Sequence, residues 1–295
     1  MKKPERTDLQ YFAYGPFKPK EPAFYKIEPS VSSIEPFAIS GCLCVRDGLP
    51  MLDLNYGGHV EGVLLSFKDA EQAAKAYQTI SEYYPSTTHT WEIMTITPSG
   101  VQFNTVVRHK PDPWNEYFGS YELTENWSAK DDPLFSKAMH VVADGIKDFR
   151  NASFDKDEGE KFDWKRYYTL QMKYLLLWSI LERFISLKES LNPVHDHFGQ
   201  MDNRQSFASV HQPFRIACSK HISKVEKLTS FSDPGKYSVL NSDEPNKCID
   251  FFHLLRTNLI HRGKSAEFDA ERLRRSFIAL FGIVREMLTE EGLFR

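Results

Sequence analysis

Tyr167, Leu170, Tyr174, Leu177, Ile180, Leu181, Phe184 and Leu187 recur at steps of three and four residues. This period constrains the fold more than any other feature of the 295-residue chain. Apolar residues so spaced line one face of an α-helix, and that face has to be buried against other elements. Asn192-Pro193 ends this helix. The same reading predicts further helices over 207–228, 246–261 and 268–288, and four helices of this length make a bundle.

Ahead of this region the pattern changes. Residues 9–14, 37–45, 59–67, 90–97 and 101–108 read as short strands broken by Gly and Pro. Asp69 stands where an N-cap belongs, before a helix over 70–83. Residues 110–133 are loop-like and rich in aromatics, a helix over 134–149 closes the region, and the charged stretch 151–161 reads as a linker. The expected class is α+β: a small mixed β-barrel over 1–150, then an all-α, four-helix-type bundle over 162–295.

Composition narrows the function. Residues 1–159 hold 16 Lys/Arg against 23 Asp/Glu, a net −7; residues 160–295 hold 21 against 17, a net +4. A mildly basic bundle suits a phosphate-bearing partner without the strong patch of a dedicated duplex binder. Cys42, Cys44, Cys218 and Cys248 are too sparse for a disulfide framework. The basic start Met1–Arg6 has no apolar run behind it, and the apolar stretch at 174–181 is too short to span a bilayer. A cytoplasmic protein without membrane contact is expected. Cys42 with Cys44, or His195-Asp196-His197, could ligate a metal, but a core pair and a solvated loop are the plainer readings, so no metal and no cofactor are expected. The aromatic cluster at 114–127 could stack bases, although packing is its plainer role. There is no Walker loop, dinucleotide fingerprint or Gly-x-Ser-x-Gly elbow.

The chemically suggestive run is Leu254-Leu255-Arg256-Thr257-Asn258-Leu259-Ile260-His261-Arg262-Gly263. A histidine moves protons near neutral pH, and a guanidinium holds negative charge on a phosphorane. A loose Arg/His spacing also fits Arg204 with His211 and Arg215 with His221, so context has to select. Only Arg256 and His261 follow a long apolar helix run and precede a helix-ending glycine. The run resembles the signature of HEPN domains. That resemblance implies a metal-independent ribonuclease in which Arg256 stabilises phosphoryl charge and His261 acts as acid or base. Thr257 and Asn258 follow Arg256 as polar support, Thr257 departing modestly from the family's usual Asn, Asp or His; Glu182 could orient the guanidinium. The helix dipole should favour protonated His261. Five positions apart on a straight helix is roughly 140° of rotation. Both residues can therefore serve one site only if the helix ends or distorts between them, or if a second subunit completes the site. HEPN domains commonly pair, so a homodimer through the helical region is expected, with RNA as substrate.

Tyr14-Gly15, Gly41, Gly48-Leu49-Pro50 and Val60-Glu61-Gly62-Val63 stand in an order that resembles the gamma-glutamylcyclotransferase-like fold over residues 9–108. In that family the turn after the first strand offers backbone N–H groups to substrate, and a glutamate after the long helix moves the proton. Here the turn is Tyr14-Gly15-Pro16-Phe17, and Pro16 has no N–H. The family's Asp-x-Tyr-Glu pattern falls on Ser81-Glu82-Tyr83-Tyr84, which puts Tyr84 in the glutamate's place and Glu82 on another face. A pocket kept as sensor, small-ligand site or partner surface is the resulting expectation. The combination resembles toxin or phage-defence effectors, which implies a possible antitoxin or regulatory protein. Two other readings stay open: a non-catalytic dimerisation, nucleotide- or partner-binding protein, and an amide-processing cyclotransferase-like enzyme.

Overall fold

β1 (Gln10–Ala13) is flanked by strands on both sides, and its Tyr11, Phe12 and Ala13 are at most 1% exposed. In the computed structural model, the residues described are 1–46, 48–96, 99–108, 122–151, 154, 162–189, 207–208, 211–230, 233, 235–262 and 266–294. The side chains of Arg46, Glu122, His261, Arg262 and 266–269 are not among them. Beside β1 run β5 (His59–Phe67), antiparallel, and β7 (Gln102–Arg108), parallel. β2 (Val31–Ser40) and β6 (His89–Thr95) form the edges, giving the order β2-β5-β1-β7-β6. A second sheet has the order β4-β3-β8, from β3 (Cys42–Arg46), β4 (Leu49–Asp53) and β8 (Glu122–Thr124).

The single strand expected over 37–45 is therefore two strands in two sheets. They part at Gly41, whose φ of +147° is unfavourable for a residue with a Cβ, and the carbonyl oxygen of Asp53 would stand 3.1 Å from such a Cβ. α1 (Ala70–Tyr83) forms where expected, and the Asp69 carboxylate accepts from the Gln72 N–H at 2.8 Å. Its buried face carries Ala73, Ala76, Tyr77, Ile80 and Tyr83. The core of this unit is aromatic. Tyr11, Phe12, Tyr14, Phe17, Tyr77, Tyr83, Tyr84 and Phe103 are all below 2% exposed, with edge-to-face contacts such as Phe17–Tyr83 at 4.8 Å. Burying each such ring contributes on the order of 1.5–3 kcal/mol.

The second unit holds α2 (Met139–Arg150), α3 (Trp164–Glu189), α4 (Gln212–His221), α5 (Pro245–Arg262) and α6 (Ala266–Glu290). Residues 134–138 form a π-helical turn ahead of α2, so the helix expected over 134–149 begins irregularly. Packing puts residues 1–132 and the last turn of α3, from Ser186, in the first unit, and the rest of the described chain in the second. α2 thus falls with the helical unit rather than with the two sheets. Its Phe149 ring meets Phe277 of α6 at 6.0 Å, and Lys173 of α3 donates to its Val141 carbonyl at 2.5 Å. Most of the expected linker at 151–161 lies outside the described residues.

The helix expected over 207–228 is a further correction. α4 starts only at Gln212-Pro213, because proline tolerates the first turn and not a helix interior. The His211 imidazole caps it, accepting from the Phe214 N–H at 3.2 Å. The chain then leaves the helical period and forms a hairpin, β9 (Glu226–Thr229) with β10 (Tyr237–Leu240). The architecture is mixed α+β with a C-terminal helical region into which this hairpin is inserted. Among the described residues no helix is long and apolar enough to cross a membrane.

Candidate active site

α5 is drawn into the helical unit by Ile249, Phe251, Phe252, Leu254 and Leu255, each less than a tenth exposed. The Tyr174 hydroxyl of α3 donates to the Phe252 carbonyl at 2.8 Å and fixes the helix along its length. With that face committed to the core, Arg256 comes out half-exposed. Among the described residues it makes no hydrogen bond or ion pair. Its neighbours in the unit behave otherwise: Arg274 is held by Glu271, and Arg275 by Glu226 at 2.8 Å. An unneutralised guanidinium at a surface is a ready site for an anion.

The helix is continuous through Arg262. It does not end between Arg256 and His261, so the two positions stay roughly 140° apart around its axis. His261 lies in the last turn, and its side chain is outside the described residues. Thr257 turns back on its own helix, donating to the His253 carbonyl at 3.0 Å. Asn258 is buried and donates to the Thr229 carbonyl of β9 at 3.0 Å, so it anchors the hairpin. Glu182 is half-exposed on α3, and among the described residues no hydrogen bond or ion pair joins it to Arg256.

Two residues near Arg256 escaped the sequence reading. His253 is three positions ahead of Arg256 and shares its face of α5. Its ring lies 5.7 Å from that of Trp178 on α3, and Glu182 is one turn beyond Trp178. The spacing His253-x-x-Arg256 was the available signal. Of the other two Arg/His pairs, Arg204 lies outside the described residues; His211 caps α4, and His221 bonds Glu286 at 3.1 Å.

In the first unit the residues around the Tyr14–Phe17 turn are buried and packed against one another. Tyr14 and Phe17 are fully buried, and Pro16 is buried between them. A Cβ placed on Gly15 would stand 3.0 Å from the Pro50 Cγ and 3.6 Å from the Tyr84 hydroxyl. Tyr84 is fully buried against Phe17, Tyr83 and His89, and its hydroxyl finds no hydrogen-bond partner among the described residues. Burial holds that phenol far above the ordinary tyrosine range, so it stays neutral. Glu82 is exposed and bonds Gln78; Glu92 is exposed on a shallow groove of about 550 Å³ with Lys2, Lys3 and Trp91. Neither carboxylate stands in the interior beside Gly15.

Cys42 and Cys44 are buried with sulfurs 4.0 Å apart, and burial pushes the Cys44 thiol up to about 12. That marks a core pair rather than reactive thiols. Among the described residues no cluster of three His, Cys, Asp or Glu side chains could hold a metal ion; 195–197 lie outside them. Of the aromatic cluster, Trp127 is described, and its indole N–H donates to the Gly48 carbonyl at 2.9 Å; Trp114 and Tyr117 lie outside. Comparisons with protein-family models, with curated proteins and with solved structures find no match to this chain.

Proposed function

We propose that the helical unit is a metal-independent endoribonuclease that acts as a homodimer, with Arg256 and His261 as its reacting pair. The observation that carries this reading is Arg256 itself, a half-exposed guanidinium that pairs with no carboxylate among the described residues, on the helix whose last turn holds His261. The resemblance of the Arg256–His261 run to HEPN domains supplies the reaction. The RNA 2′-oxygen attacks the adjacent phosphorus as its proton passes to a base, the 5′-oxygen leaves with a proton from an acid, and a 2′,3′-cyclic phosphate remains. His261 is one of these proton-moving groups, and Arg256 stabilises the equatorial oxygens. Because α5 is unbroken between the two, a second copy of the chain is what brings a histidine opposite each arginine. The barrel unit, with its Tyr14–Phe17 turn buried, serves as a sensor or regulatory module. In this reading the protein is an effector of the toxin or phage-defence type, held in check by a partner.

Purified protein incubated with mixed RNA in EDTA tests the reading. Wild type is expected to cleave, and His261→Ala and Arg256→Ala to lose about 10²–10³-fold in rate, the usual loss for one charge-stabilising donor, while sedimenting and melting as wild type does. Undiminished cleavage by either variant would overturn the assignment. No cleavage by wild type would favour the second reading, a non-catalytic binding module, which the buried structural role of Asn258 also accommodates.

A further inference from the structure

The hairpin inserted between α4 and α5 has two unlike faces. Leu228 and Leu240, 4% and 5% exposed, belong to the inner one. The outer one presents Val225 and Tyr237, 63% and 56% exposed, together with Lys227. Side chains alternate along a strand, so this division follows from the register in which Tyr237 faces Thr229 and Lys227 faces Val239. Lys227 holds its ammonium 3.8 Å from the centre of the Tyr237 ring. An exposed ring with an ammonium beside it can offer a ligand both apolar surface and positive charge.

Lysines outnumber carboxylates at the hairpin, Lys227 on the outer face and Lys224 and Lys236 flanking the paired strands. Lys224, Lys227 and Lys236 are exposed, and among the described residues none of them makes an ion pair. The carboxylate of the paired strands, Glu226, is already engaged by Arg275 at 2.8 Å and Arg272 at 3.8 Å, both from α6. In the connecting turn, Asp233 accepts from the Gly235 N–H at 3.0 Å.

The hairpin is also fixed in place relative to α5. Asn258 reaches the Thr229 carbonyl, and the Ser238 hydroxyl donates to the Lys247 carbonyl at 3.2 Å. Asn258 is two residues beyond Arg256, and Thr229 is the ladder partner of Tyr237. The anchoring contact thus ties the exposed ring to the face of α5 on which the His261 position falls, Asn258 being about 160° around the helix from Arg256.

We propose that the β9–β10 hairpin is a binding platform for single-stranded RNA, stacking a base on Tyr237 and taking phosphates with Lys224, Lys227 and Lys236. It rests on the ribonuclease reading and adds to it the strandedness of the substrate. A base offers a flat face whatever its sequence, so the platform favours unpaired over duplex RNA and is tolerant of sequence. Asn258 is then a positioning residue, holding platform and cleavage site in register.

The test uses the full-length protein and a fluorescein-labelled single strand of 2′-O-methyl RNA, which binds but lacks the attacking hydroxyl. Tyr237→Ala should weaken binding about 5- to 150-fold, the loss of one base–aromatic stack, and Tyr237→Phe should restore it. Replacing the three lysines by glutamine should lower the salt slope of log Kd by roughly 2, and a duplex probe should bind more weakly than the single strand. On cleavable RNA, Tyr237→Ala should raise KM and leave kcat unchanged. Binding and KM unaffected by Tyr237→Ala, with cleavage still dependent on Arg256, would overturn the platform and leave the ribonuclease reading standing. Tight, Tyr237-dependent binding without any cleavage of natural RNA would do the reverse. Equal displacement of the probe by polyglutamate, with no effect of Tyr237→Ala, would mean generic charge and also overturn the platform.

Discussion

Arg108 in the barrel unit and Arg256 in the helical unit are both guanidiniums at the edge of an apolar core, and the two units treat them differently. Arg108 faces Asp53 at 3.6 Å with the two side chains 5% and 2% exposed, and Asp53 is further bonded by the Asn55 backbone and side-chain N–H groups. Among the described residues Arg256 makes no hydrogen bond or ion pair. A buried charge has to be paired, because desolvation otherwise costs several kcal/mol; a half-exposed one can stay open and wait for a ligand. The first unit pairs its buried arginine internally, and among the described residues the helical unit leaves the half-exposed Arg256 unpaired.

The sharpest way to break this comparison is to make the barrel's pair resemble the free arginine. Asp53→Ala removes the carboxylate paired with a buried arginine and should cost roughly 3–5 kcal/mol of stability, read from the urea midpoint. A loss below about 1 kcal/mol would mean that water already reaches Arg108, and the contrast would fail.

Next in size is a packing change in the helical unit. A Cβ on Gly282 would fall 2.5 Å from Nδ1 of His221, a stiff ring that also bonds Glu286. Gly282→Ala should therefore destabilise by about 1–3 kcal/mol despite the helix propensity of alanine. Stabilisation in thermal melts would show that α4 moves aside freely.

A smaller effect, of opposite sign, is expected in the barrel. Tyr84→Phe removes a buried hydroxyl that has no hydrogen-bond partner among the described residues, and should be neutral or stabilising by up to about 1 kcal/mol. Clear destabilisation would reveal a bonded hydroxyl and reopen the turn at Gly15 as a site.

The smallest concerns Glu286, whose carboxyl is held below its ordinary 4.5 by Lys220 and His221. A depressed pKa contributes stability that is present above the unfolded value and is lost as pH falls through the folded one. Melts of wild type should thus lose an increment, under about 1 kcal/mol at this largely solvated site, below pH 4.5 that Glu286→Gln never has. Parallel pH profiles for the two proteins would remove the pair from any account of how α4 meets α6.

Much of the secondary structure was legible along the chain. The three- and four-residue period found α3, α5 and α6 to within a few residues, and Asp69 marked the start of α1, since a helix face and an N-cap are each written in neighbouring residues. The strand at 59–67 was equally plain. Of the candidate site, Arg256 stood out by its context; Asn258 and Thr257 were recognised as polar, but not as an anchor for the hairpin and a bond back to the helix. Helix periodicity also hid the hairpin: the apolar residues of 207–228 fit one long helix until Pro213 is given its full weight.

By itself, then, the sequence determined where helices and strands could form, where caps belong, and that an arginine and a histidine share one helix. Only the tertiary structure decided that residues 37–45 split between two sheets at Gly41, that α2 joins the helical unit, that Tyr84 packs beside Gly15, and that Arg256 is left unpaired among the described residues. The reason is one of range. Periods and caps come from contacts within a few residues, whereas the occupancy of a pocket or the neutralisation of a charge depends on which distant segments arrive there.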